Sequence, residues 1–136
     1  SIIGTNSKEN PFMDEGFTEY ITYLATNSNL QLKAYQKITA TSYRYIGQNM
    51  DYFDSRDSNV LALTVYRGTS VLLEQIRVKY GTPKLLEFFH QIYNNYATQV
   101  MERADLLNIF ENVYSLSDRV NLEFIVTNGY KVSYFA

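Results

Sequence analysis

Ser58-Asn59-Val60-Leu61-Ala62-Leu63-Thr64-Val65-Tyr66-Arg67-Gly68-Thr69-Ser70-Val71-Leu72-Leu73-Glu74-Gln75-Ile76-Arg77-Val78-Lys79-Tyr80 is the stretch whose reading decides the fold. Leu61, Val65, Leu72 and Ile76 recur at helical spacing, and Leu63, Tyr66, Leu73 and Tyr80 make a second stripe on the same helix. A helix that is apolar on two sides is buried in the middle of something. Ser58 or Asn59 is expected to cap it. Gly68 lies between the stripes, where a missing side chain lets a neighbouring backbone come close.

The neighbours are helices as well. Asn10-Pro11 opens a first one, with asparagine as cap and proline in the first turn. Met13, Phe17, Tyr20 and Leu24 follow at helical spacing, and Asn27-Ser28-Asn29 closes it. A second helix is expected from about Leu30 to Gln48, with Tyr35, Ile38, Tyr45 and Ile46 on its apolar side. The span from Asp51 to Ser58 reads as a polar connection. After the central helix, Gly81 is a stop signal and Thr82-Pro83 a start signal. Leu85, Phe89, Ile92 and Tyr96 then form a core face. A fifth helix runs from about Arg103 to Tyr114 through Leu106, Leu107, Ile109, Phe110 and Val113. Ser117 is the expected cap of a sixth, with Val120, Phe124 and Ile125 inward. Asn128-Gly129 breaks it, and Tyr130, Val132 and Tyr134 alternate as in a strand. The expected architecture is an all-α array of about five to six helices with a short extended C-terminal tail. It forms a single helical lobe over residues 1–136. A lone terminal strand lacks a partner, which points to a piece of a longer chain.

Composition narrows the function. The 12 basic and 14 acidic residues leave a net charge of −2, with no basic stripe interleaved with aromatics, so nucleic-acid binding has no electrostatic footing. No apolar run approaches the roughly 18–20 residues that span a bilayer. The absence of cysteine removes disulfides, thiol nucleophiles and thiolate metal sites together, without fixing a compartment. Thirteen tyrosines in so short a chain suit grooves and lobe interfaces, where a ring packs and a hydroxyl stays wet.

Three segments carry a family resemblance. Phe12-Met13-Asp14-Glu15-Gly16-Phe17-Thr18-Glu19-Tyr20 resembles the helix of M1 (gluzincin) zinc aminopeptidases that supplies the third zinc ligand. The family pattern there is an aromatic or apolar pair, Asn-Glu-Gly-Phe-Ala, a variable residue and an aromatic. By that resemblance Glu15 takes the metal-ligand position, and Asp14 replaces asparagine. Tyr66-Arg67-Gly68-Thr69-Ser70-Val71-Leu72 is similar to the family's Tyr-x-Lys-Gly-Ala-x-Val-Leu, whose tyrosine hydroxyl stabilises the oxyanion. With the glycines aligned, Arg67 takes the lysine position and Val65 the tyrosine position. Tyr66 then stands one residue late, about 100° round an α-helix. Either the alignment slips locally and Tyr66 is the catalytic hydroxyl, or the oxyanion tyrosine is missing. Phe124-Ile125-Val126-Thr127-Asn128-Gly129-Tyr130 resembles the family's exit from its catalytic domain, with Lys131 where proline is usual.

The resemblance implies zinc-dependent peptide hydrolysis, with a peptide as the substrate, in a parent protein. It also implies that this chain alone is inactive. A catalytic zinc of this type needs two histidines four apart on a helix plus a carboxylate. His90 is the sole histidine and there is no cysteine, so the chain cannot assemble that set whatever its fold. Family spacing places the His-Glu-x-x-His helix further ahead of Glu15 than the fourteen residues that precede it. The missing partner is therefore the N-terminal part of the catalytic domain, and zinc is expected in the parent and not in this fragment.

Each of these residues also has a plainer role. Asp14 and Glu15 suit the first turn of a helix through the macrodipole. Glu19 reads as a solvated or supporting carboxylate one turn on. Tyr66 packs in its stripe with Leu63, Leu73 and Tyr80, Arg67 serves as a surface charge or salt-bridge partner, and His90 flanks Phe89. Two further functions stay open. One is a non-catalytic gluzincin-like pseudo-enzyme, favoured by Val65; the other is an unrelated helical peptide- or protein-binding module. Under either gluzincin reading, Glu15 and Tyr66 share one concave surface.

Overall fold

The computed structural model describes residues 6, 8–26, 46–129, 134 and 135. Among these the chain is all-α, with six continuous helical rods and no strand. The first rod is a π-helical segment, π1 (Phe12–Gly16), running into α1 (Phe17–Thr26). After α2 (Met50–Asp54) comes the long central rod, made of α3 (Ser58–Leu61), π2 (Ala62–Gly68) and α4 (Thr69–Tyr80). Helices α5 (Thr82–Tyr96), α6 (Arg103–Val113) and α7 (Leu116–Asn128) complete the array. The expected second helix falls almost wholly outside the described residues, as does most of the expected terminal strand.

Local chemistry sets the ends. The Asp57 carboxylate accepts from Asn59 N–H at 2.9 Å and starts α3, one residue ahead of the serine expected there. Gly81 takes φ 96°, a left-handed conformation that a residue with a Cβ rarely adopts, and so separates α4 from α5. Glu102 and Asp105 form a capping box on α6. Ser115, rather than Ser117, caps α7 by accepting from Asp118 N–H at 3.0 Å. Asn10 does not cap the first rod: its amide oxygen instead accepts two N–H groups of Arg103, at 3.1 and 2.9 Å. Part of the expected polar connection after Asp51 is helical, because Asn49 accepts from Tyr52 N–H at 3.0 Å and Phe53 is buried.

The rods stack in order, α4 on α5, α5 on α6 and α6 on α7, while π1 and α1 lie against π2 and α4. The centre is aromatic. Phe17 meets Phe12, Phe88 and Phe89 edge-on at 6.1–6.2 Å, and Phe88 meets Phe110 at 5.3 Å. Burying each such ring contributes about 2–3 kcal/mol, and each edge-on pair about 0.5–1.5 kcal/mol more. On α7 the inward face is Leu122, Ile125 and Val126. Val120 and Phe124, expected inside, are 56% and 38% exposed. They share a stripe with exposed Leu116, and α6 covers the other side.

Candidate functional site

The two π-helical segments are neighbours, and this brings the carboxylates of the first rod to the middle of the central one. A π-turn holds one residue more than an α-turn and turns successive side chains through a smaller angle. In π2, Val65 is fully buried, while half-buried Tyr66 reaches out of the core. The Tyr66 hydroxyl donates to Glu15 Oε2 at 3.1 Å. Glu15 is exposed and Asp14, beside it, is buried. Below Tyr66, the Ser70 hydroxyl donates back to the Tyr66 carbonyl at 2.9 Å and closes the turn.

The approach of the rods depends on Gly16. A Cβ there would lie 2.6 Å from Thr69 Cβ and Oγ1, and 2.7 Å from Cγ2. The close contact expected at Gly68 is made instead from the other rod, against the residue that follows Gly68. Thr69 is fully buried, and its hydroxyl has no hydrogen-bond partner among the described residues.

Electrostatically the cluster is acidic. Burial, the hydrogen bond to Glu15 and the charges of Glu15, Glu19 and Asp14 push the Tyr66 phenol up to about 12. Tyr66 therefore remains a protonated donor throughout the neutral range. Glu19, one turn beyond Glu15, is half-buried and accepts from the Tyr23 hydroxyl at 2.9 Å. Burial raises the Glu19 pKa, against the lowering effects of that hydrogen bond and of Arg67. Of the solvated or supporting roles expected of Glu19, its partial burial disfavours the fully solvated one. Its Oε2 is buried and unpartnered among the described residues.

His90 is exposed on α5. Among the described residues no three histidines, cysteines or carboxylates group so as to hold a metal ion. Glu15 offers one exposed carboxylate, which by itself is not a zinc site, since such a site takes three or four protein donors. A separate polar cleft of about 360 Å³ is lined by Glu9, Asn10, Gly47, Asn49, Glu102 and Arg103. Its guanidinium is already engaged by Asn10 and the Gly47 carbonyl, which reads as a structural tie. No helix among the described residues is long and apolar enough to cross a membrane.

No known protein family, curated protein or solved structure matches this chain. The functional reading therefore stands on the residues and their geometry.

Proposed function

We propose that this chain is the C-terminal helical part of a gluzincin-type zinc aminopeptidase catalytic domain, inactive alone and completed by a His-Glu-x-x-His helix outside the sequence. The observation that carries this reading is the hydrogen bond from Tyr66 to Glu15. The two motif segments had been linked only by likeness to a family pattern, yet the residues with assigned chemistry are the ones in contact.

In this reading Glu15 gives one carboxylate to a zinc site that the upstream residues complete. A bound zinc supplies Lewis acidity toward the scissile carbonyl and a more acidic water. Tyr66, kept as a phenol, donates a hydrogen bond to the oxygen on which negative charge develops. Its bond to Glu15 is solvent-exposed and so can be exchanged for one to substrate.

A second reading, a pseudo-enzyme lobe that binds peptide or protein without cleaving it, draws on fully buried Val65 at the aligned tyrosine position. Hydrolysis of an aminoacyl p-nitroanilide by the natural polypeptide that includes the upstream residues separates the two. Chelator-sensitive turnover restored by zinc supports the peptidase. A folded polypeptide with no turnover at any zinc concentration supports the pseudo-enzyme.

A further inference from the structure

The Glu15 to Tyr66 bond joins two rods that also meet tightly one residue away from Glu15, at Gly16. That approach leaves no room for a methyl group: an added Cβ would sit 2.6 Å from Thr69, far inside the roughly 3.5–4.0 Å at which carbon atoms rest. Gly16 lies in helical backbone, so alanine is conformationally acceptable there, and the nearest atoms that an added Cβ meets all belong to Thr69. Thr69 is fully buried and hemmed in, so it cannot swing aside into solvent. Its hydroxyl lacks a hydrogen-bond partner among the described residues, so Thr69 acts here through shape and not through polarity.

We propose that Gly16 and Thr69 are positioning residues, a bare contact between the last residue of π1 and the first of α4 that sets the distance between Glu15 and the Tyr66 hydroxyl. Any side chain added at Gly16 separates the rods and parts the pair, although the Thr69 hydroxyl makes no hydrogen bond to the Glu15 carboxylate or the phenol oxygen. The consequence for catalysis rests on the function proposed above. The contact itself does not, and it is tested without zinc or substrate.

The test is carbon NMR of the intact protein labelled at tyrosine Cζ, at one neutral pH, with the Tyr66 signal assigned by Tyr66→Phe. The shift difference between the protein and its Glu15→Ala variant reports the bond. That difference is expected to vanish in a Gly16→Ala background. It should return when Thr69→Gly is added, since the pair then again carries a Cβ on one side only. A difference that survives Gly16→Ala, or that the double replacement fails to restore, overturns the proposal. Thr69→Val keeps the shape, removes the orphaned hydroxyl and is expected to fold even where Gly16→Ala does not. It should preserve the difference in full, and its loss in that variant overturns the proposal independently.

Discussion

The Tyr66 hydroxyl sits 3.1 Å from Glu15 Oε2, joining residues 51 positions apart. Nothing local requires this contact, because the two side chains belong to different rods and meet at the surface. Removing it alone should change stability little. Tyr66→Phe is expected to lower unfolding free energy by less than about 1 kcal/mol, the range of a solvent-exposed hydrogen bond. Under the proposed function, the same variant of the zinc-loaded natural polypeptide should lose about 10²–10³ in kcat with KM nearly unchanged, as for loss of one oxyanion donor. Urea melts and steady-state kinetics read the two effects separately.

Glu19 gives a prediction with a sign. Burial holds its carboxyl pKa above the ordinary 4.5. The folded state therefore prefers the protonated form, so the stability this group contributes is present below its unfolded pKa and lost as pH rises through the folded value. Glu19→Gln should stabilise the protein at neutral pH, and the gain should shrink toward zero as both forms are compared under more acidic conditions. Thermal melts across the acid-to-neutral range check this; a constant difference at all pH values would contradict it.

Phe88 is fully buried and meets Phe17, Phe89, Phe110 and Tyr114. It thus links α1, α5 and α6. Phe88→Ala should cost about 3–5 kcal/mol, measured by denaturant unfolding, because the rings around it cannot collapse together into the space.

Glu74 is buried at 3% exposure, where it accepts from Tyr20 at 2.7 Å and is paired with Arg77. Arg77 also reaches the Thr82 hydroxyl at 3.2 Å, tying the end of α4 to the start of α5. Arg77→Met should cost about 2–3 kcal/mol, since a buried carboxylate loses its charged partner. Adding Glu74→Gln in that background should recover part of the loss, which a double-mutant cycle by chemical denaturation measures.

Much of this fold was legible in the pattern of apolar residues. The faces of α6 and the central rod follow from Leu106, Ile109, Phe110 and Val113, and from Val65, Leu72 and Ile76, at helical spacing. Gly81 and Thr82-Pro83 marked the break that the structure shows. Periodicity failed where two faces competed. On α7 the set Val120 and Phe124 reads as apolar as Leu122, Ile125 and Val126, and only packing against α6 chooses between them. The polar look of Asp51 to Ser58 hid the buried Phe53. Of the candidate site, Glu15 and Tyr66 stood out through resemblance alone. Their juxtaposition arises between two π-helical segments 51 residues apart, and a 3.6-residue period read along one segment at a time represents neither the π-coiling nor the pairing. The role of Gly16 was equally hidden, because a close approach is a property of two rods and shows in neither sequence segment by itself.

The most direct test of the central claim is the zinc content of the full natural polypeptide, which the proposed function expects to carry the histidine pair, purified without metal affinity. The account predicts one zinc per polypeptide, lost in Glu15→Ala while the helical fold persists by circular dichroism. Absence of zinc in the natural polypeptide, or full retention of it by Glu15→Ala, would contradict the account.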